Sequence, residues 1–119
     1  MTEQKTAFDF EAMRHAIERS DADALITLYA GGAEAKITNK NTPPSHPTAL
    51  RGKEEISAML RDVCARDMSH KVEGEVVGEE RVAFMEACEY SDGTRVLSAM
   101  TLEVRDGKIV RQTSVEAWD

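Results

Sequence analysis

The sequence contains few of the residues from which metal, cofactor or covalent catalytic sites are built. Among its 119 residues are two cysteines and three histidines. Cys64 and Cys88 show no Cys-x-x-Cys spacing and have no histidine close by in sequence, so we expect two small buried hydrophobic residues. No His-Glu-x-x-His, glycine-rich nucleotide loop or serine nucleophile motif occurs. The sequence therefore predicts neither a metal site nor a cofactor.

Basic residues and long apolar runs are also scarce. Lys and Arg number 15 against 22 Asp and Glu, which gives a formal net charge of −7. Because phosphate binding requires clustered basic side chains, we expect neither nucleic acid nor an anionic membrane as a partner. The apolar runs are too short to span a bilayer. Residues 1–6 lack the apolar core of a signal peptide, so we expect a cytoplasmic protein.

The remaining composition is that of an ordinary globular chain. Apolar residues make up 41% of the sequence and charged residues 31%, while aromatic residues make up only 5%. A chain of this length folds as one unit with a core of its own. We expect a single domain over residues 1–119, with a core filled mainly by aliphatic side chains and methionine.

The first part of the chain shows the helical period. Apolar residues at Phe10, Met13 and Ile17 predict a helix over residues 6–19. The Ser-Asp-Ala-Asp sequence that follows is typical of a helix N-terminus and predicts a second, short helix. The pair Gly31-Gly32 is expected to end that helix, because glycine adopts the left-handed conformation found at helix C-termini.

A brief strand is predicted over residues 33–38, followed by a loop over residues 39–50. Three prolines in that loop exclude a helix and disfavour a central strand. The third predicted helix, after Gly52, has the clearest apolar stripe. This stripe is formed by Ile56, Met59, Leu60, Val63 and Cys64.

From residue 69 the pattern changes to the period of strands. Four strands are predicted, over residues 70–77, 81–90, 94–105 and 108–118, with glycine-containing turns between them. Consecutive strands joined by short turns form an antiparallel meander. The expected fold class is α+β, with the N-terminal helices covering one face of a curved sheet.

Three sequence segments carry a resemblance to a known superfamily. They are Ser20-Asp-Ala-Asp-Ala-Leu-Ile-Thr-Leu-Tyr-Ala, Leu50-Arg-Gly-Lys-Glu-Glu-Ile and Leu102-Glu-Val-Arg-Asp-Gly-Lys-Ile-Val. In this order the chain resembles the nuclear-transport-factor-two-like superfamily, and within it the SnoaL-like polyketide cyclase and ketosteroid isomerase branch. The resemblance implies a cone, in which N-terminal helices pack on a strongly curved mixed or antiparallel sheet around an internal, mostly apolar pocket. It also implies homodimers across the outer face of the sheet.

The resemblance implies a fold but not a particular reaction, because proteins that share a fold differ in the residues that line their sites. Ketosteroid isomerases use a tyrosine of the first helix, a carboxylate base after the first strand and a protonated acid on a late strand. Met13, Ile37 and Met100 fall at those positions here. A steroid isomerase with that mechanism is therefore not expected.

The family pattern points Met100 inward, and strand alternation then assigns the residues that share its face. Glu86 and Glu116 are the predicted catalytic residues, because a carboxyl group in apolar surroundings can transfer protons near neutral pH. Alternatively, both glutamates lie in a solvent-filled cavity mouth, or they pair with Arg95 or Arg111 at a dimer face. An error of one residue in the strand register would place both on the opposite face of the sheet. The predicted pocket residues are Met13, Ile17, Met59, Phe84, Met100, Gln112, Ser114 and Trp118.

The remaining polar candidates have weaker support. His15 lies off the apolar stripe of the first helix and is expected in solvent, and His70 is expected at the end of the sheet. His46 lies in the proline loop, which is expected at the edge of the pocket. It is either a solvent-exposed surface residue or an acid or base that contacts a bound ligand. Asn39 can at most orient a substrate or water. Tyr29 either stacks on a flat ligand or packs in the core.

These observations leave two functions from different classes. The first is binding of a small hydrophobic or aromatic molecule with no assigned reaction, favoured because no complete acid–base set is present. The second is a cofactor-independent isomerase or polyketide-cyclase-like enzyme that acts on a carbonyl compound through Glu116 and Glu86. A dimerisation domain without pocket chemistry is a third reading of the same sequence.

Overall fold

A computed structural model describes residues 7–119 as three helices and six strands. The helices are α1 (Phe10–Glu18), α2 (Ala22–Ile26) and α3 (Gly52–Cys64). The strands are β1 (Tyr29–Thr38), β2 (Thr48–Arg51), β3 (Met68–Val77), β4 (Arg81–Tyr90), β5 (Arg95–Arg105) and β6 (Lys108–Trp118). The predicted start of the first helix at residue 6 lies outside the described residues.

All six strands form one mixed sheet in the order β2-β1-β6-β5-β4-β3. The last four strands pair antiparallel with their neighbours in sequence, so the predicted meander is confirmed. Strand β1 joins the meander by pairing parallel with β6. Register shifts in three of the strand pairs bend the sheet, because a bulge increases local twist. The fold is α+β, with helices beside an open, curved sheet, as predicted.

The region around β1 differs from the prediction in two ways. Gly31 and Gly32 do not end a helix: α2 ends at Ile26, and both glycines lie inside β1. They fall where the pairing of β1 with β6 changes register, and glycine inside a strand often marks such an irregularity. The second difference is β2, an unpredicted edge strand that pairs with β1 after the last proline. An edge strand tolerates neighbouring proline because it needs hydrogen bonds on one side only.

The helices pack against the concave face of the sheet and form the core there. Met13 and Ile56 have almost no solvent exposure, and burial of such a side chain contributes roughly 1.5–3 kcal/mol. Phe84, predicted to line the pocket, instead packs edge-on against Phe10 with ring centroids 5.5 Å apart. It belongs to the core under α1, because the concave face is covered directly by the helix at this end of the sheet.

Two side chains of α1 form hydrogen bonds with backbone groups on the free edge of β3. Glu18 accepts a hydrogen bond from the backbone N–H of Val72 at 3.0 Å, and Arg14 donates to the carbonyl of the same residue at 3.2 Å. Arg14 also pairs with Glu75 further along the strand. These contacts fix the helix over the edge strand and therefore close one side of the concave face.

The convex face of the sheet is not covered by any element within residues 7–119. Leu97 and Val115 point outward from β5 and β6, and 46% and 53% of their surfaces are exposed. No helix in this part of the chain has both the length and the apolar character needed to cross a membrane.

Candidate functional site

A cavity of about 110 Å³ lies between the helices and the concave face of the sheet. Its walls come from the central part of the sheet and from all three helices. Four of the five methionines within residues 7–119 line it, namely Met13, Met59, Met68 and Met100. Methionine is flexible and polarizable, so these walls can adjust to the shape of an occupant.

Nine of the ten predicted site residues line this cavity, and Phe84 is the exception. Those on the helices are Met13, Ile17 and Met59. Those on the sheet are Glu86, Met100, Gln112, Ser114, Glu116 and Trp118. The structure thus brings both predicted catalytic glutamates to the cavity wall. It places His15 and His46 elsewhere, as exposed side chains.

His70, Glu86 and Cys88 form a compact cluster on β3 and β4, here called the histidine cluster. The Nδ1 atom of His70 lies 2.8 Å from Oε2 of Glu86 and 3.3 Å from Sγ of Cys88. The thiol of Cys88 donates to the same carboxylate oxygen at 3.1 Å. The other ring nitrogen of His70, Nε2, is buried and has no hydrogen-bond partner within residues 7–119. The cluster therefore contains a polar atom that the rest of the described chain leaves unsatisfied.

The histidine cluster extends two sequence-based expectations. His70 lies near the start of β3, the edge strand, but it is buried, and Cys88 is buried as predicted but has a histidine in direct contact. The hairpin by itself gives only an approximate signal, because the register next to the turn, with Val77 opposite Val82, would place His70 opposite Glu89. A bulge between Glu73 and Val76 shifts the register and makes the pair directly opposite.

Burial and the negative charge of Glu86 both raise the pKa of nearby thiol and phenol groups. Burial raises the pKa of the Cys88 thiol well above its usual range, and the carboxylate of Glu86 raises it further. The pKa of Cys64 is raised by burial, by Glu86 and by Asp21. Burial and Glu86 likewise raise the pKa of the Tyr29 phenol. These three groups therefore stay protonated at neutral pH, which argues against a thiolate nucleophile at Cys88.

Glu116 is held at the cavity wall by uncharged donors. The side-chain amide of Asn39 donates to Oε1 of Glu116 at 2.9 Å, and the indole N–H of Trp118 lies 3.5 Å from the same atom. Asn39 reaches this position because β1 runs parallel to β6. Its observed role is to orient a glutamate of the cavity.

The alternative ion pairs across the sheet do not involve the cavity glutamates. Arg111 lies 3.8 Å from Glu103, and Arg95 lies 3.2 Å from Glu89. All four side chains belong to the other face of the sheet or to its rim. Within residues 7–119 of one chain, Glu86 and Glu116 therefore do not pair with these arginines.

A second set of hydrogen-bonded polar side chains, here called the glutamine chain, links β1 to β6. The hydroxyl of Tyr29 donates to Oε1 of Gln112, and Nε2 of Gln112 donates to Oγ of Ser114 at 3.2 Å. Tyr29 and Gln112 are only 2% and 4% exposed, so Tyr29 packs in the core rather than stacking on a ligand. Each buried polar atom on the Tyr29–Gln112 contact has a partner, unlike Nε2 of His70.

The mouth of the cavity combines one basic and two aromatic side chains. The rings of Tyr90 and Trp118 have centroids 5.9 Å apart. Arg66 donates to the hydroxyl of Tyr90 at 3.0 Å and to the carboxylate of Asp62 at 2.5 Å. The charge of Arg66 is thus matched by an acidic neighbour outside the cavity.

Helices on the concave face of an open, bent sheet, with a cavity between them, define the cone of the nuclear-transport-factor-two-like superfamily. Residues 10–112 match the family model of the SnoaL-like domain. The chain belongs to this family. No curated protein matches the sequence.

Solved structures support the same fold at low sequence identity. A nuclear-transport-factor-two-like protein of unknown function from Mesorhizobium loti is 18% identical, with a TM-score of 0.80 over 98% of this chain and 97% of that one. A protein provisionally named a ketosteroid isomerase, from Kribbella flavida, is 15% identical, with a TM-score of 0.72 over 92% and 74% of the two chains. A loop-truncation variant of IdmH is 20% identical, with a TM-score of 0.70 over 90% and 88%. At these identities the likeness concerns the fold alone.

Proposed function

We propose that this protein binds a small, mostly apolar organic molecule in the cavity between the helices and the sheet. The observation that carries the proposal is a cavity wall of methionine and aliphatic side chains that also contains a few placed polar groups, the usual composition of a ligand site. Its volume of about 110 Å³ is somewhat below the ~150 Å³ of a cavity that holds benzene. A compound with one ring therefore fits after small movements of the methionines.

Titration with benzyl alcohol, followed by amide chemical shifts in NMR spectra, tests this proposal. We expect saturable shifts of residues at the cavity, such as Ser98 and Ser114. The variant Ser98→Leu fills the cavity floor and should abolish the shifts. Ala99→Leu adds the same side chain on the opposite face of β5 and should preserve them. Shifts spread over the surface, or equal binding by both variants, would contradict the proposal.

A second candidate function is cofactor-independent proton transfer on a carbonyl compound. The observation that favours it is the buried contact of His70 with Glu86, since a carboxylate beside an imidazole fixes its orientation and tautomer. Glu116 provides another carboxylate on the same wall. Met13, Ile37 and Met100 all line the cavity, so the polar set of ketosteroid isomerases is replaced by apolar side chains. Any such chemistry would therefore use a different set of residues.

Hydrogen–deuterium exchange at the α-carbon of phenylacetone in D₂O tests the second candidate. The wild type should exchange these protons faster than buffer, and Glu86→Gln and Glu116→Gln should each slow the exchange by about tenfold or more. Glu89→Gln removes the same charge from the exposed face of β4 and serves as the matched control. Exchange at the buffer rate, or equal rates in all variants, would eliminate this function.

We also propose that two copies associate across the convex face of the sheet, around Leu97 and Val115. The support is the exposure of two large apolar side chains on a face that no element within residues 7–119 covers. Sedimentation analysis should show a dimer at micromolar concentration, and Leu97→Glu should convert it to a monomer. Val77→Glu is the control, because this exposed valine at the end of β3 pairs with the buried Val82 and so lies on the face of the sheet opposite to Leu97. A monomeric wild type would overturn this assembly.

A further inference from the structure

The two glutamates that line the cavity differ in their neighbours: Glu86 lies beside His70, and Glu116 has no basic partner within residues 7–119. Four of the lining residues are basic or acidic: Arg66, His70, Glu86 and Glu116. Arg66 is an exposed residue at the mouth, where Asp62 already neutralises it. The interior therefore contains two carboxylates, and His70 beside Glu86 is the one basic side chain available to them within residues 7–119.

The two glutamates flank a single residue on the floor of the cavity. Ser98 of β5 pairs with Glu86 on one side and with Glu116 on the other. Neighbouring strands lie about 5 Å apart, so the backbones of the two glutamates are separated by roughly 10 Å. Glu116 receives hydrogen bonds from the neutral groups of Asn39 and Trp118, and no basic side chain in the described part of the chain contacts it. Its side chain is therefore oriented by neutral groups alone within residues 7–119.

The negative charge of these carboxylates raises the pKa of ionisable groups elsewhere in the interior. The charge of Glu86 is the second cause, after burial, that raises the pKa of Tyr29 on β1, Cys64 on α3 and Cys88 on β4. Glu116 contributes to the shift at Cys88 as well. Groups on three different elements thus respond to negative charge inside the cavity. An anionic occupant would meet the same repulsion.

We infer that the molecule bound in the cavity is a cationic amine, whose ammonium group lies between Glu86 and Glu116 and whose apolar body packs against the methionines. The inference rests on the proposed ligand-binding function and specifies the class of ligand.

Three ring compounds of similar size test the inference: benzylamine, benzyl alcohol and benzoate. Their binding is measured by NMR titration at neutral pH, where the first is a cation, the second is neutral and the third is an anion. Benzylamine should bind about tenfold more tightly than benzyl alcohol, as expected for a charge-assisted hydrogen bond, and benzoate should bind most weakly. Glu86→Gln and Glu116→Gln should each reduce the preference for benzylamine. Glu89→Gln, on the exposed face of β4, should retain it.

The outcomes separate this inference from the function on which it rests. If none of the three compounds binds, the ligand-binding function itself is wrong. If benzyl alcohol binds as tightly as benzylamine in the wild type, the cavity binds ligands but the inferred charge is wrong. This comparison uses the wild type alone and therefore holds even if a glutamine variant fails to fold.

A metal ion is another positively charged occupant that the cavity could take from solution. The donor atoms of His70, Glu86 and Cys88 lie within 4.8 Å of one another, close enough to share one ion. Co²⁺ added alone distinguishes the two occupants, because a thiolate-bound cobalt ion gives a strong near-ultraviolet absorption band. If that band forms, is lost in Cys88→Ala, and benzylamine shows no preference over benzyl alcohol, the amine inference is overturned. No band together with preferred benzylamine binding supports it.

Discussion

The glutamine chain and the histidine cluster lie on the same concave face but differ in how fully their polar atoms are paired. In the glutamine chain, Tyr29 donates to Gln112, and Gln112 donates to Ser114. In the histidine cluster, two side chains contact one ring nitrogen of His70, and the other ring nitrogen has no partner in the described part of the chain. Buried polar groups are nearly always satisfied in stable folds. The glutamine chain therefore supports the fold, whereas Nε2 of His70 can still form a hydrogen bond at the cavity wall.

The largest effect should come from breaking the glutamine chain at its centre. Gln112→Leu leaves the buried hydroxyl of Tyr29 and that of Ser114 without their partner, at an expected cost of about 2–3 kcal/mol in the free energy of unfolding. Urea denaturation measures this change. Thr113→Leu, the next residue and exposed on the opposite face, should change stability by about 0.5 kcal/mol or less. Equal stability of the two variants would show that the chain is not structural.

The next largest effect concerns alkaline pH and the histidine cluster. The pKa of Cys88 is raised in the folded state, so above about pH 8.5 the unfolded chain loses a proton that the folded chain keeps. The free energy of unfolding should therefore fall as pH rises, by at most about 1.4 kcal/mol per pH unit for this one group. Denaturation between pH 8 and 10 should show a shallower fall in Cys88→Ala. The same slope in both proteins would contradict a buried neutral thiol.

A smaller effect is expected at the other end of the glutamine chain. Tyr29→Phe removes one donor and should lower the free energy of unfolding by about 1 kcal/mol. The double variant Tyr29→Phe with Gln112→Leu leaves no tyrosine hydroxyl unpaired. Its cost should be less than the sum of the two single costs, which a double-mutant cycle measures. Strict additivity would mean that the two side chains do not interact.

The smallest stability change should accompany Glu86→Gln, which keeps a hydrogen-bonding group beside His70 and removes the charge. We expect a change of about 1 kcal/mol or less, because the amide can accept in place of the carboxylate. The pKa of Cys88 should fall, because Glu86 raises it in the wild type. Thiolate absorbance measured against pH in a Cys64→Ser background tests this. An unchanged titration would show that Glu86 does not act on the thiol, and Glu89→Gln provides the matched control.

The elements of the cavity wall followed from periodicity along the chain. Alternation on β5 and β6 placed Met100, Ser114 and Glu116 on one face, and the structure buries or half-buries each of them. Helical spacing likewise placed Met13 on the covered face of α1. These assignments succeed because a side chain's direction within a regular element depends on its own backbone.

The histidine cluster could not be found in the same way. His70 meets Cys88 only because a bulge at Gly74, whose φ is +62°, shifts β3 against β4. Phe84 shared the alternation of its strand, yet Phe10 covers it, and that depends on where α1 crosses the sheet. Neither contact can be predicted from the alternation of residues along a single strand.

The sequence by itself determined the fold class, the order of the meander strands and the side chains that face inward. Helical and strand periods are local properties, set by backbone geometry over a few residues. The tertiary structure decided the pairing of Gln112 with Tyr29, the joining of His70 to Glu86 and Cys88, and the orientation of Glu116 by Asn39. Those contacts depend on register between strands that are distant in sequence. Register is fixed by bulges and by packing of the whole sheet, because each strand's position depends on its neighbours.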